Sequence, residues 1–472
     1  MRLRLGGGAA VLVAALIAGC AVGPDYQRPE FHSAPDYKEL GDWKPSEPSD
    51  SLSRGPWWEI FNDDQLNALE VQINISNENV KAAAAAVDQA RALVSQARAG
   101  FWPTLAANAG RTRGSESVGP TPYSSTQTLN TNSAGVTGTW GIDIWGQIRR
   151  TVESDVASWQ SSAAALAAAQ LSAQGLLATD YFELRAQDQL QKLLDDTVDA
   201  QKLSLKITES RYKYGVAAKA DVVSAQAQLL SSQAQQVNAG VQRAILEHAL
   251  AVLVGKQPAE FSVNATTMRT DVPTVPAGVP SSLLERRPDV AEAERKVAAA
   301  NAQIGVATAA YFPSLTLSGS DQYTGSAWST LFSVPNRIWS VGPTLAETVL
   351  DGGLRRAQVA QARAAYEASV DNYRQTVLLS FEQVEDQIAT LRILQQQAVI
   401  EEAAVNAARE AEVLTLNQYK AGTVPYSSVI TAQTTQFTSE ETALTVLSSR
   451  LQASVALIEA LGGGWTAAQL PH

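Results

Sequence analysis

The chain is poor in the residues that carry chemistry. Of 472 residues, one is cysteine (Cys20), three are histidine (His32, His248 and His472) and two are methionine. A lone cysteine excludes a disulfide framework within the chain. The histidines stand in unrelated settings, with no zinc-type spacing around them, and no P-loop or GxSxG element accompanies them. Glu382, Glu385 and Asp386 fall at i, i+3 and i+4, which a solvated helix face explains better than an acid/base pair. No catalytic constellation is found, so an enzyme is the least supported reading, and neither metal nor cofactor is expected. Aromatics are 7% of the chain and long stretches hold no proline. This suits long helices rather than a sandwich or a doubly wound sheet. After the first twenty residues no run of eighteen apolar residues occurs, so no helix spans a bilayer. If the mature chain crosses a membrane, it must do so as closed β-structure. Basic charge is also short. Without Arg2 and Arg4 the balance is 34 basic against 47 acidic residues, a net −13, which argues against nucleic acid as a partner.

The first residues have a clear form. Arg2 and Arg4 precede an apolar stretch over 9–18, and Ile17-Ala18-Gly19-Cys20 supplies small residues before the cysteine. This is the pattern of a bacterial lipobox: a signal peptide over 1–19 and a lipid, palmitate included, on Cys20. A plain signal peptide with an incidental cysteine ranks below it, because no second cysteine exists to pair. Ala21 follows, not an aspartate that could retain a lipoprotein at the inner membrane. The expected address is therefore the outer membrane, lipid-anchored, with the body in the periplasm.

The remainder is one unit written twice. An alanine-rich helix over 79–99 ends in Phe101-Trp102-Pro103-Thr104-Leu105, and another, with Arg287-Pro288-Asp289 in its first turn, stops at Tyr311-Phe312-Pro313 before Ser314-Leu315, 210 residues later. After each, the period changes from 3.6 to 2, so a helix turns directly into a two-faced strand. The alternation predicts hairpins over 104–143, with strands 104–112 and 134–143 around a polar loop, and over 314–345, where Pro343 confines pairing at a strand end. Each returning strand enters a helix of some 60 residues through a basic pair, Arg149-Arg150 or Arg355-Arg356. Such a helix runs roughly 90 Å, too long for a globule and suited to a coiled coil. The long helices end at related tips over 211–221 and 418–428, where Gly215-Val216 and Gly422-Thr423 suit the left-handed position after a helix end, and a return helix follows each. The organisation reads as a proline-rich strap over 20–62, repeats over 63–255 and 283–462, a joining segment over 256–282 and a flexible tail over 463–472. The first helix is expected to run unbroken over 63–99.

Trp102, Trp140, Trp145, Trp328 and Trp339, half of the ten tryptophans, sit in or beside the four strands. Aromatic girdles at a bilayer interface place them there. Ordinary sheet packing accounts for one or two of them better than for all five.

With these landmarks the chain resembles the outer-membrane factor family of TolC-like channels, in its lipoprotein OprM/NodT-type branch. The residues that carry the likeness are CAVGPDYQRP from Cys20, LLERRPDVAEAERKVAAANAQIGVATAAYFPSL from Leu283, the stretch 140–150 and both tips. The resemblance implies a mainly α fold with a small β part. Three protomers would give four strands each to a twelve-stranded outer-membrane β-barrel, continued by an α-helical barrel in the periplasm. It implies a homotrimer serving as the passive exit channel of a tripartite efflux system that exports small toxic compounds. Its partners would be a periplasmic adaptor (membrane fusion) protein, an inner-membrane pump of the RND type and outer-membrane lipid. It implies a periplasmic gate where Asp221, early in a return helix, bonds Tyr419; a helix N-cap is an equally weighted role for Asp221. Positions that are often acidic at the family's constriction are Ser428 and Thr431 here, which suggests a neutral gate. Gly215, Val216, Gly422 and Thr423 match adaptor-docking tips, although plain helix termination also suffices for them. The alternatives are an exit duct for type I protein secretion or metal-ion efflux, and, from another class, a lipid-tethered periplasmic coiled-coil scaffold or adaptor.

Overall fold

The computed structural model describes residues 21–31, 34, 36–40, 55–118, 125–275 and 283–471. The signal peptide and Cys20 lie outside them. Two short helices come first. α1 (Asp64–Ser76) is capped by Asp63, whose carboxylate accepts from the backbone N–H of Gln65 and Leu66 at 3.0 and 3.1 Å. α2 (Glu78–Ala99) is capped in the same way by Asn77, which accepts from Asn79 and Val80. The single helix expected over 63–99 is therefore two. Asn77 offers the following N–H groups a side-chain acceptor and breaks the run, while its own amide donates to the Leu253 carbonyl at 2.8 Å.

The long helices are α3 (Gln147–Lys213) and α6 (Leu354–Ala421), each returned by a 35-residue helix, α4 (Lys219–Leu253) and α7 (Tyr426–Ala460). At 67 residues α3 extends about 100 Å. Between α4 and α6 stand α5 (Pro288–Ala309), which is 22 residues long like α2, and the second hairpin. The main core lies midway along α3. There Trp57, Trp58 and Phe61 of a 3₁₀ turn, Leu66 and Ile73 of α1, Leu177, Tyr181 and Leu184 of α3, Leu250 of α4 and Leu457 of α7 are all buried. Each fully buried leucine contributes about 2 kcal/mol. Arg185 is buried in it and holds the chain crossing between repeats: it donates to the Asn264 carbonyl and Gln65, each at 2.7 Å, and pairs with Asp188 at 2.6 Å. The segment after α7, expected to be flexible, packs instead. Gly462 and Gly463 take left-handed φ of 88° and 63° and turn the chain back onto α3, where Gln160 donates to the Pro471 carbonyl at 3.0 Å.

The four strands are β1 (Thr104–Val118), β2 (Ser125–Ile142), β3 (Ser314–Gly325) and β4 (Arg337–Ala346), all antiparallel in the order β1-β2-β3-β4. β1 and β2 are longer than expected. The Ser, Thr, Asn and Gly residues over 113–133 carry no apolar alternation, yet they stay in register up to Val118 opposite Ser125. Pairing also passes Pro343 and ends at Ala346 opposite Ser314, because β4 is an edge strand, where proline is tolerated.

Candidate functional site

The register sorts the sheet into two faces. On one, Leu105, Val136, Trp140, Ile142, Leu315, Leu317, Val341 and Leu345 meet across strands; on the other stand Thr104, Thr137, Thr139, Thr316, Ser318, Ser320, Ser340 and Thr344. Hydroxyls on the second face bond each other, Thr104 to Thr139 at 2.8 Å and Ser320 to Ser340 at 2.9 Å. Both outer strands, β1 and β4, leave one edge unpaired. The tryptophans fall at two levels. Near the helices, Trp102 is exposed, Trp140 donates to the Phe101 carbonyl at 2.9 Å, and Trp145 donates to the Pro313 carbonyl at 2.8 Å while stacking on Phe312. Trp328, in the β3–β4 connection, and Trp339, early in β4, are exposed. Packing thus accounts for Trp145 and in part for Trp140, but not for the other three.

Both strand-to-helix junctions use one device that sequence reading missed. The Asp143 carboxylate accepts the N–H of Ile148 and Arg149 at 3.1 and 2.9 Å, and Asp351 accepts the N–H of Gly353 at 2.9 Å and the Arg355 side chain at 2.7 Å. Hydrogen bonds from Arg355 and these backbone groups hold the Asp351 carboxyl well down, at about 2. The signal was an aspartate followed within three residues by a glycine, ahead of each basic pair. Arg150 plays a different part. It is buried, ion-paired to Asp25 and Glu153 at 2.8 Å each, and bonded to the carbonyls of Val22 and Gly23. It binds the start of the strap to the foot of the sheet. Ala21 lies so close to Gly146 that a Cβ on that glycine would come within 2.8 Å of the Ala21 Cα.

At the far end of the helices the two tips join. Gly215 and Gly422 have φ of 74° and 80°, and the next residues donate back into the helix, Val216 to the Arg211 carbonyl at 2.9 Å and Thr423 to that of Gln418 at 3.0 Å. These bonds satisfy the last carbonyls of the long helices. Tyr419 and Tyr426 are buried with ring centroids 5.2 Å apart. Arg211 lies over the Tyr419 ring, 4.8 Å from its centroid, and donates to the Lys420 carbonyl at 2.7 Å, tying the first tip to the second.

Within the protomer the expected Asp221–Tyr419 bond is not made. The Tyr419 hydroxyl is turned toward α3 and meets the Thr208 hydroxyl at 3.4 Å. Nor does Asp221 cap α4: the helix starts at Lys219 after Ala218, placing Asp221 in the first turn, where its charge suits the helix dipole. Its field acts on Tyr426, whose hydroxyl is pushed up to about 12 by burial first, then by Tyr419 and Asp221. Ser428 is half-buried and Thr431 exposed. They begin a helical row that continues through Thr435, Thr438, Thr442 and Thr445, and several of its hydroxyls donate to the carbonyl four residues back. The row is polar and uncharged. The described residues include no group of His, Cys, Asp and Glu arranged to hold a metal, and no helix among them is long and apolar enough to cross a membrane.

A two-faced sheet open at both edges, continuous with paired helices far longer than a domain, defines a subunit of a membrane conduit. Comparison with known proteins agrees. The model of the outer membrane efflux protein family matches residues 70–256 and again 279–463, one match on each repeat, and the chain belongs to that family. It is 27% identical over 460 residues to the probable efflux pump outer membrane protein TtgC of Pseudomonas putida, covering 96% of this chain and 94% of that protein. It is 30% identical over 426 residues to the pyoverdine export outer membrane protein OpmQ of Pseudomonas aeruginosa, covering 88% and 89%. Among solved structures, the outer-membrane channel OprN superposes with a TM-score of 0.87 at 30% identity, over 94% of this chain and all of that one. The fold expected from the sequence, a TolC-like protomer of long antiparallel helices joined to a small sheet, is the one found.

Proposed function

We propose that the protein is the passive outer-membrane exit channel of a tripartite efflux system, exporting small toxic compounds delivered by an inner-membrane pump of the RND type through a periplasmic adaptor. The observation that carries this is the sheet: over the half near the helices it is apolar on one face and hydroxylated on the other, and it is unpaired at both edges. Four strands cannot enclose a pore. Three copies would give twelve, with the apolar face toward lipid and the hydroxylated face toward water. Trp102 and Trp140 would mark one bilayer interface and Trp328 the other, with Trp339 between them on the lipid-facing side and Trp145 packed beneath. The position of Ala21 at the foot of the sheet supports a lipid on Cys20 buried in the adjoining leaflet. The joined tips would form the periplasmic gate, with Ser428 and Thr431 lining it without charge, and the exposed turns at Gly215-Val216 and Gly422-Thr423 would meet the adaptor.

Single-channel recording of detergent-extracted protein in planar bilayers tests the reading, together with its mass in solution. Low resting conductance from a trimer is expected. A monomer that stays soluble without detergent would favour the lipid-tethered scaffold and overturn the channel.

A further inference from the structure

The lipid-facing side of the sheet ends in positive charge that no described residue neutralises. Across the register its rows run Ile142–Leu315–Leu345, Trp140–Leu317–Pro343 and Leu105–Gly138–Gly319–Val341, and then change character: Ala107–Val136–Asp321–Trp339, Ala109–Ala134–Tyr323–Arg337, Arg111–Asn132–Gly325, and Arg113 opposite Asn130. Asp321 is engaged by Arg337 through two hydrogen bonds at 2.9 and 2.7 Å. Arg111 and Arg113 are exposed, and neither pairs with a carboxylate among the described residues. Closing the sheet on a second copy supplies no acid, because the outward residues of β4 are Arg337, Trp339, Val341, Pro343 and Leu345. At the opposite end of the strands, by contrast, Arg149 and Arg355 are held by Asp143 and Asp351. In a chain this acidic, two cations side by side on one outward edge, unpaired among the described residues, call for an anionic partner.

Their height says where that partner lies. From the Ile142 row to the Arg111 row is ten residues, which at ~3.4 Å each and a ~40° tilt is about 26 Å, the height of a lipid-facing band, with the Asp321–Arg337 ion pair in its upper part. An arginine on this face costs about 2–4 kcal/mol at mid-bilayer and about 0–1 near the interface, so Arg111 and Arg113 fit at its rim. The helices leave from the other end, so this rim is the external one. On the β3–β4 side of the sheet Trp328, Phe332 and Trp339 are exposed, and Phe332 packs edge-on against Tyr323.

We propose that Arg111 and Arg113 form an outward clasp for the phosphate groups of the outer-leaflet glycolipid, lipopolysaccharide. Two guanidinium forks about 7 Å apart on one strand face match phosphate oxygens bidentately. Phospholipid of the inner leaflet would meet the other end of the strands. This inference rests on the sheet spanning the outer membrane as read above.

The test compares trimers extracted from outer membranes: the natural protein, the Arg111→Gln/Arg113→Gln double variant and the Arg111→Lys/Arg113→Lys double variant. Lipopolysaccharide retained per trimer is measured by mass spectrometry of lipid A. Delipidated trimers are then offered lipid A, dephosphorylated lipid A or phosphatidylglycerol in detergent. Loss of two interfacial charges predicts on the order of tenfold less retained lipid in the glutamine variant, part of it kept by the lysine variant, and weak binding of dephosphorylated lipid A. Equal retention in all three proteins, or equal binding of lipid A with and without phosphate, overturns the clasp. Phosphatidylglycerol binding as tightly as lipid A overturns its assignment to the glycolipid. Conductance recorded on the same preparations separates the two readings: channels without lipid preference sink only the clasp, whereas a protein that forms no channel sinks both.

Discussion

α3 and α6 hold matching places in the two repeats and differ in length by one residue, yet they live in different surroundings. Buried residues punctuate α3 from Arg150 to Thr208, and Leu177, Tyr181 and Leu184 are sealed completely. On α6 burial begins only at Tyr373, and Leu379, Ile393, Ile400 and Leu414, which share one heptad register, are left exposed. α4 has the same character, with Val223, Leu230 and Val237, then Ile245 and Val252, open at intervals of seven. A repeat that duplicates an element without duplicating its burial leaves the second copy's apolar surface for something outside the chain. Seven-residue spacing on both α4 and α6 says that this is another long helix, and a ring of copies supplies it.

The contrast breaks most sharply on α4. Val237 is 77% exposed and Ile245 53%, so Val237→Asp with Ile245→Asp costs the protomer almost nothing. In a ring each change buries an unpaired carboxylate, worth about 3–5 kcal/mol. Helix content by circular dichroism should be unchanged while the trimer disappears in favour of monomer. A trimer that survives both changes would mean that α4 does not face a neighbour.

The sealed region has a cost of its own. Glu70 on α1 is fully buried with neither carboxylate oxygen bonded, and burial pushes its carboxyl up to about 9. The folded protein therefore holds this proton, which the unfolded chain releases near 4.5. The stability Glu70 contributes is complete below pH 4.5, falls as pH rises through neutrality, and is lost above pH 9. At pH 7 the difference is about 3 kcal/mol. Glu70→Gln should match the natural protein near pH 5 and unfold at a progressively higher relative temperature toward pH 8. Parallel melting curves across that range would show that the carboxyl is solvated or paired in the trimer.

These features were unequally legible. Changes of period revealed hairpins and helices because burial enforces them, and the tip glycines declared themselves through their left-handed backbone. Asn77 was invisible as a break, since an asparagine inside an alanine-rich stretch looks like a surface position until its side chain turns onto the backbone. The upper halves of β1 and β2 were read as loop because their pairing rests on backbone hydrogen bonds and leaves no apolar signature. The basic pairs were visible, but not that Arg149 and Arg150 part company, one to Asp143 and the other to the strap. Glu70 resembled any glutamate on a helix, because its burial depends on where α1 docks.

The smallest effect concerns the tips, where the same contrast appears in miniature. Family resemblance pointed to Asp221 as the partner of Tyr419, whereas within one protomer Arg211 holds that ring. Arg211→Ala removes a ring contact and one bond to a carbonyl, together about 1–2 kcal/mol, and unties the first helix pair from the second. It should raise resting conductance in planar bilayers several-fold without dissociating the trimer. Asp221→Ala, which removes only a field on Tyr426 and a helix-dipole contact, should change conductance little. If Asp221→Ala instead opens the channel as far as Arg211→Ala, the aspartate must find its partner on a neighbouring copy. The gate would then be closed by contacts between protomers rather than by the joined tips of one.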